Sequence, residues 1–240
     1  MTGTFINITT VLLGGTIGLL FGSRLPERTR QTVIAGLGLF TIAFGLVNFT
    51  ATENAIVVLI SLLLGGIMGE WWRIETRLQD LGALLERRFA GGNSKPDNGD
   101  QFARGFLTAS LVFCVGPMTI LGSIQDGLTG DYSLLAIKSV LDGFAALAFA
   151  STLGVGVLFS VVVILIYQGG LSSLAGAAEA FITPAMMNEL VAVGGILLIG
   201  IAISSLLEIK PIRVGNFLPA LIIAPLMVAL LTALNISLLP

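Results

Sequence analysis

The chain has 240 residues, of which 55% are hydrophobic and only 11% are charged, a composition typical of an integral membrane protein. The net charge of −2 leaves no large basic surface for nucleic acid, and the absence of histidine excludes His-based catalytic triads and HExxH zinc sites. The single cysteine, Cys114, excludes an intrachain disulfide and multi-cysteine metal sites, so we expect it to pack as a small hydrophobic residue, with no metal or cofactor.

Apolar segments long enough to cross the hydrocarbon core, about 20 residues each, divide the chain. The predicted fold class is therefore all-α, a polytopic membrane helix bundle of seven or eight spans in a single transmembrane domain over residues 1–240. The count falls to seven if residues 133–170 form one helix, although Gly154 and Gly156 favour a break there. The eight predicted spans lie near 4–22, 32–49, 54–71, 104–122, 133–150, 153–170, 186–207 and 214–236.

The basic residues predict the orientation of these spans. Eleven of the twelve Lys and Arg residues fall in the loops after spans one, three and seven, and the twelfth is Lys138. The positive-inside rule places these loops in the cytoplasm, and with eight spans both termini lie outside it. The first apolar run has Arg24, Arg28 and Arg30 after it and no basic residue before it, so we expect a retained span rather than a signal peptide.

Residues 72–103 are predicted to lie outside the membrane, as a cytoplasmic amphipathic helix and a linker. Apolar residues recur at three- and four-residue spacing over 72–90 between arginines and acids, which indicates a helix on the membrane surface. The sequence GGNSKPDNGD at 91–100 is typical of a flexible linker. The segment is either an anchored connector or a regulatory element.

Two pairs of segments suggest an inverted repeat. Residues 33–45 resemble 190–202, and the glycine-rich 12–22 resembles 152–161. Spans one to three would then correspond to spans six to eight, and this odd offset makes the two copies antiparallel, as in many transporters. Chance likeness between glycine-rich apolar segments is the alternative. Gly14, Gly18 and Gly22 form a small-residue face for close helix packing, either within the chain or in a homodimer.

Polar residues inside the predicted spans mark the candidate site. Lys138 and Asp142 are one helical turn apart in an apolar stretch, and intramembrane ionisable residues are functional-site candidates. The alternative for this pair is a structural ion pair. Pro117 is expected to kink or break span four ahead of several polar side chains. The candidate substrate- or ion-binding residues are Lys138, Asp142, Ser139, Gln125, Asp126, Thr119, Asn48 and Asn7.

Some of these residues have structural alternatives. Gln125 and Asp126 would otherwise form the turn after span four, while Asn7 and Asn48 would act as interhelical hydrogen-bonding residues. We expect Glu70 at the inner membrane interface and Glu189, like Glu179, at the surface.

The runs FCVGPMTILGSIQDGLTGDYSLLAIKSVLDGF (113–144) and GGIMGEWWRIETRLQDLG (65–82) resemble the YdfK/YqgA-type family of bacterial inner-membrane proteins. This family has no assigned function, although its members are sometimes labelled transport proteins. The resemblance extends over nearly the whole chain and implies a multi-pass protein of the bacterial cytoplasmic membrane. It supplies neither a substrate nor a reaction.

The preferred functional hypothesis is a secondary transporter for a small solute or ion. The alternative is a non-transporting scaffold or sensor that acts through the cytoplasmic segment 72–100. We do not expect an enzyme, because Ser139 and Lys138 are adjacent and point about 100° apart on a helix, which does not favour a nucleophile–base pair. The expected partners are the lipid bilayer and an unknown small solute or ion, with a homodimer left open and no nucleic acid.

Overall fold

The computed structural model describes residues 1–22, 26–80, 98–114, 117–177 and 182–234, and within these ranges the chain forms only helices and turns. The all-α prediction is confirmed. In this described part of the chain, seven helices are long and apolar enough to cross a membrane, or eight if the bent pair α4–α5 counts as one span. The helices are α1 (Thr2–Gly22), α2 (Glu27–Phe49), α3 (Ala55–Trp72), α4 (Asn98–Cys114), α5 (Pro117–Thr129), α6 (Ser133–Leu153), α7 (Gly156–Ser173), α8 (Pro184–Ile201) and α9 (Ala220–Ala233).

The helix α8 does not end regularly. It continues through a π-helical turn at Ala202–Leu206, and a 3₁₀ helix at Val214–Phe217 precedes α9. Pro225 lies inside α9, where it removes one backbone hydrogen bond without ending the helix.

The predicted fourth span is broken at the proline. The helices α4 and α5 are bent by 61° relative to each other, and Pro117 is the first residue of α5, where its missing N–H breaks no helical hydrogen bond. The hydroxyl of Thr119 donates a 3.0 Å hydrogen bond to the carbonyl oxygen of Phe113, which satisfies one free acceptor at the end of α4.

Two separate helices cover residues 133–170. Gly154, with φ of +80°, ends α6, and its N–H donates a 3.1 Å hydrogen bond to the Ala150 carbonyl. Because other residues rarely adopt this φ, glycine is the residue suited to this break.

The predicted surface segment is seen only in part. Arg73, with φ of +51°, ends α3, and residues 74–80 are helical. The rest of the predicted amphipathic helix and most of the linker lie in 81–97, outside the described residues. Asn98 starts α4, so that helix begins earlier than the predicted span, and its first turns are polar.

The chain divides into two compact units. Unit 1 comprises Met1–Leu37 with Leu78–Glu179, and unit 2 comprises Gly38–Arg77 with Ala180–Pro240.

In unit 1, α1 packs along α6 through glycines. A methyl group at Gly14 would lie 2.0 Å from the Gly143 carbonyl oxygen, and one at Gly18 would lie 2.3 Å from the Leu147 carbonyl oxygen. Because both contacts advance together along the two helices, α1 and α6 run parallel. The predicted small-residue face therefore serves close packing inside the chain.

Unit 2 is built around α3, α8 and α9. The helices α3 and α9 are antiparallel, since Ser61 contacts Met227 and Gly65 lies against Ala220. Small and β-branched side chains fill the core that these helices share. Its fully buried members are Val58, Ala192, Val193, Ala220 and Ala224.

Candidate functional site

The central feature of unit 1 is a buried ion pair on α6. The Lys138 ammonium donates a hydrogen bond to Oδ2 of Asp142, one helical turn later. Each side chain is only 8% exposed, although the neighbouring Leu141 on α6 is 58% exposed. The two charges therefore face the interior of the unit and not the lipid.

Two further helices supply amides to this ion pair. The Nδ2 group of Asn7, on α1, donates 2.9 Å hydrogen bonds to Asp142 Oδ2 and to Gln168 Oε1. Gln168, on α7, donates from Nε2 to the hydroxyl of Thr4 at 3.3 Å. Thr4, Asn7 and Gln168 are fully buried. We refer to Thr4, Asn7, Lys138, Asp142 and Gln168 as the polar cluster.

One acceptor of the polar cluster has no partner within the described ranges. A carboxylate only accepts hydrogen bonds, so the Asn7 amide must present its N–H₂ group to Asp142. The Oδ1 atom of Asn7 is then buried without any hydrogen-bond donor among the described residues. Leaving a buried acceptor unsatisfied costs about 1–3 kcal/mol, so this oxygen is a natural contact for a bound cation, solute or water.

Asp126 is a second buried acid in unit 1, and it contacts α1 one helical turn before Asn7. Its Oδ2 atom accepts hydrogen bonds from the backbone N–H of Gly3 at 3.1 Å and from the Ser172 hydroxyl at 3.2 Å. The amino group of Met1 lies 3.0 Å from the same oxygen. Ser172 also donates to the carbonyl oxygen of Ser123 at 3.0 Å. Asp126 thus connects the ends of α1, α5 and α7.

The remaining predicted site residues do not join the polar cluster. Thr119 is used at the α4–α5 break, and Ser139 donates a 2.6 Å hydrogen bond to the Leu135 carbonyl of its own helix. Asn48 lies in unit 2, where it is 5% exposed and its Nδ2 has no partner among the described residues.

Gln125 is exposed and lies near the end of α5, beside the loop that leads to α6. Its amide donates a 2.8 Å hydrogen bond to Asp131, which also accepts from the hydroxyl and the N–H of Ser133, at 2.6 and 3.0 Å. These bonds, those from Ser133 first, lower the pKa of Asp131 below the ordinary value of 3.8. Gln125 and Asp126 are therefore helical and do not form the turn itself: Gln125 bonds to the loop that follows, whereas Asp126 is buried.

The prediction for Glu189 was wrong. The side chain is only 2% exposed, and its carboxylate accepts hydrogen bonds from the Thr52 hydroxyl and from the backbone N–H groups of Glu53 and Asn54, at 2.8–3.0 Å. Glu189 is buried because the free N–H groups at the start of α3 bind its carboxylate and favour a negative charge there. Glu179 lies outside the described residues.

Sequence reasoning missed Thr4, Gln168 and Ser172. Of these, Gln168 had a usable signal, because it is the one glutamine in the apolar run VVVILIYQGG at 161–170. Thr4 and Ser172 had none, since single hydroxyl residues are common in membrane helices and often bond their own helix.

Comparison with known proteins places the chain in a family. The sequence profile described as "Protein of unknown function (DUF554)" matches residues 2–229. The chain is 35% identical over 222 residues to "Uncharacterized protein YqgA" of Escherichia coli K12, which covers 92% of the chain and 94% of that protein. It is 30% identical over 240 residues to "Uncharacterized membrane protein YdfK" of Bacillus subtilis 168, covering 98% of the chain and 99% of that protein.

No solved structure matches the chain. The family profile and both relatives extend over nearly its whole length, and YdfK is described as a membrane protein, in agreement with the apolar helices of the structure. The chain therefore belongs to the DUF554 family of membrane proteins.

Proposed function

We propose that the chain is a secondary transporter for a small solute or ion and that the polar cluster is part of its binding site. The observation that carries this proposal is a buried Lys138–Asp142 pair, surrounded by amides from two other helices, with the Oδ1 atom of Asn7 lacking a partner in the described part of the chain. A charged side chain at the centre of a membrane helix costs about 2.5–3.5 kcal/mol, so such residues mark solute or ion pathways.

An inverted repeat is part of the proposal, and helix directions within the units support it. In each unit, the helices that the repeat treats as equivalent lie side by side and run antiparallel. A two-fold axis in the membrane plane relates such pairs in transporters. The opposed residues are Thr4 with Gly169 and Gly15 with Leu158 for α1 and α7, Gly45 with Ile199 and Phe49 with Gly195 for α2 and α8, and Ser61 with Met227 and Gly65 with Ala220 for α3 and α9.

The proposed location is the bacterial cytoplasmic membrane, with both termini outside the cytoplasm. Contacts in unit 2 support this orientation. Arg213 donates a 2.9 Å hydrogen bond to Glu70, so the basic loop after α8 and the basic segment after α3 lie at the same end of the unit. The opposite end, where Glu189 binds the 50–54 loop, has no Lys or Arg in 50–54 or 182–189.

A non-transporting scaffold or sensor is the second candidate. The observation that favours it is the pairing of Lys138 with Asp142, because two mutually satisfied charges can serve cohesion and register alone. Its proposed signalling segment, 72–100, lies largely outside the described residues. We propose no enzymatic activity for either candidate.

The test begins with a ligand screen. A thermal-shift screen of monovalent salts, small organic acids and small amines on the purified protein identifies ligands that bind the folded state, because such ligands raise Tm. Each ligand is then tested for uptake into proteoliposomes. We expect at least one ligand that both raises Tm and is taken up.

The decisive variant removes both charges and leaves the net charge unchanged. Lys138→Met/Asp142→Asn should lose both the Tm increase and the uptake. The control Lys210→Met/Asp131→Asn makes the same chemical changes at exposed residues and should retain both. Uptake that survives in the Lys138/Asp142 double variant, or a panel with no uptake at all, would favour the scaffold.

A further inference from the structure

The polar cluster contains equal numbers of buried positive and negative charges. Lys138 supplies one ammonium group and Asp142 one carboxylate, while Thr4, Asn7 and Gln168 are neutral. Asp126, the other buried acid among the described residues of unit 1, has its own partners in Gly3, Ser172 and the Met1 amino group. The five side chains of the cluster therefore carry no net charge.

Neutrality restricts what the cluster can hold. A bound cation alone would leave one uncompensated positive charge, and a bound anion alone would leave one negative charge. Both states are unfavourable for groups removed from water. A cation and an anion bound together restore a net charge of zero, since Asp142 pairs with the cation and Lys138 with the anion.

We propose that the polar cluster binds one monovalent cation and one monovalent anion together, so that the protein is an electroneutral cation–anion symporter. This inference rests on the proposed transport function and adds its substrate class. In the structure, Lys138 occupies the position of the cation against Asp142 and acts as a tethered counter-ion.

The side chains of the cluster include ligand types for both ions. Oxygen atoms suit hard cations, and the cluster offers the carboxylate of Asp142, Oε1 of Gln168 and Oδ1 of Asn7, which has no donor among the described residues. Among the described residues, no group of three or more acidic, Cys or His side chains could hold a metal ion, and one carboxylate matches one positive charge. The Lys138 ammonium ends a flexible four-carbon chain, so it can turn from Asp142 to an anion.

The experiment measures uptake of radiolabelled Na⁺ into proteoliposomes from the chloride, acetate, lactate and gluconate salts. Gluconate is the bulky reference anion. For the wild-type protein we expect uptake about tenfold faster, or more, with at least one small anion than with gluconate, the scale of ordinary coupling between two ligands. Clamping the membrane potential with K⁺ and valinomycin should leave this rate unchanged, because the transported pair carries no net charge.

Each single variant should transport one of the two ions without the other, and the ion differs between the two variants. In Lys138→Met, a cation alone neutralises the cluster, so Na⁺ uptake should become independent of the anion. In Asp142→Asn, an anion alone neutralises it, so Na⁺ uptake should disappear while the labelled anion exchanges without Na⁺. The double variant should transport neither ion, and each variant is first checked for a monodisperse size-exclusion profile.

The outcomes separate this inference from the proposed function. Wild-type Na⁺ uptake that is equally fast in gluconate, or that follows the membrane potential, overturns the coupling while leaving transport in place. Absence of Na⁺ uptake in every salt also overturns the coupling; the proposed function then depends on the independent ligand screen. If a single variant does not fold, the wild-type comparison of salts and potentials still decides the question.

Discussion

Asn7 and Asp142 are 135 residues apart in the sequence, and a 2.9 Å hydrogen bond joins the amide of one to the carboxylate of the other. The same amide group reaches Gln168 on α7. One side chain near the start of α1 therefore connects α6 and α7, the two helices against which α1 packs most extensively in unit 1. The candidate site and the packing of this unit depend on the same residue.

Replacing Asn7 by alanine should destabilise unit 1. The substitution removes a donor to Asp142 and a donor to Gln168, which leaves two buried acceptors with fewer partners. We expect the free energy of unfolding to fall by about 1–2 kcal/mol, within the range for intramembrane hydrogen bonds. The loss is measured by SDS or thermal unfolding of the purified protein. Thr9→Ala, an exposed position on the same helix, is the control, and equal stability of the two variants would contradict the prediction.

Gly14→Ala should separate α1 from α6. The added methyl group would lie 2.0 Å from the Gly143 carbonyl oxygen, so the helices must move apart. Overpacking of this kind costs about 1–3 kcal/mol. Gly36→Ala is the matched control, because no atom lies within 4 Å of its added methyl group. The two unfolding curves are compared under identical conditions, and the prediction fails if both variants match the wild-type curve.

Glu189→Gln should loosen the start of α3. The neutral amide offers one acceptor oxygen in place of a charged carboxylate that receives bonds from Thr52, Glu53 and Asn54. Because hydrogen bonds to a charged group contribute about 1.5–3 kcal/mol, we expect a loss of this order. Hydrogen exchange of the first turn of α3 should also accelerate. Glu53→Gln changes an exposed acid in the same loop and should have a much smaller effect.

Asp131 should make stability depend on pH in the acid range. Its pKa is lowered in the folded protein, first by the Ser133 hydroxyl, so the unfolded chain binds the proton more readily. The carboxylate therefore contributes its full stabilisation above the ordinary pKa of 3.8, and this is lost as the pH falls through the folded-state pKa.

The corresponding measurement is Tm as a function of pH for the wild type and Asp131→Asn. The wild type should have the higher Tm near neutral pH, and the two curves should converge at strongly acidic pH. A constant difference between the curves over the whole range would rule out the carboxylate as its source.

The sequence predicted the parts of the fold that local physics decides. Apolar length identified the membrane helices, Pro117 marked the break between α4 and α5, and Gly154 marked the end of α6. The four-residue spacing of Lys138 and Asp142 was enough to pair them, because both lie on one helix.

Contacts between distant helices could not be obtained in this way. Nothing near Gln168 in the sequence indicates that its partner is Asn7, and nothing near Glu189 indicates the free N–H groups at the start of α3. An acid one turn into an apolar helix is equally compatible with the membrane surface and with a buried cap. Only the packing of α8 against α3 decides between them.

The parallel packing of α1 on α6 has a consequence for biosynthesis. More than 100 residues separate the end of α1 from the start of α6. At ordinary translation rates the ribosome needs roughly 5–20 s to produce them. During that interval the nascent chain holds Asn7 in the bilayer without its carboxylate partner, so lipid, water or an insertase must cover the glycine face of α1 until α6 emerges.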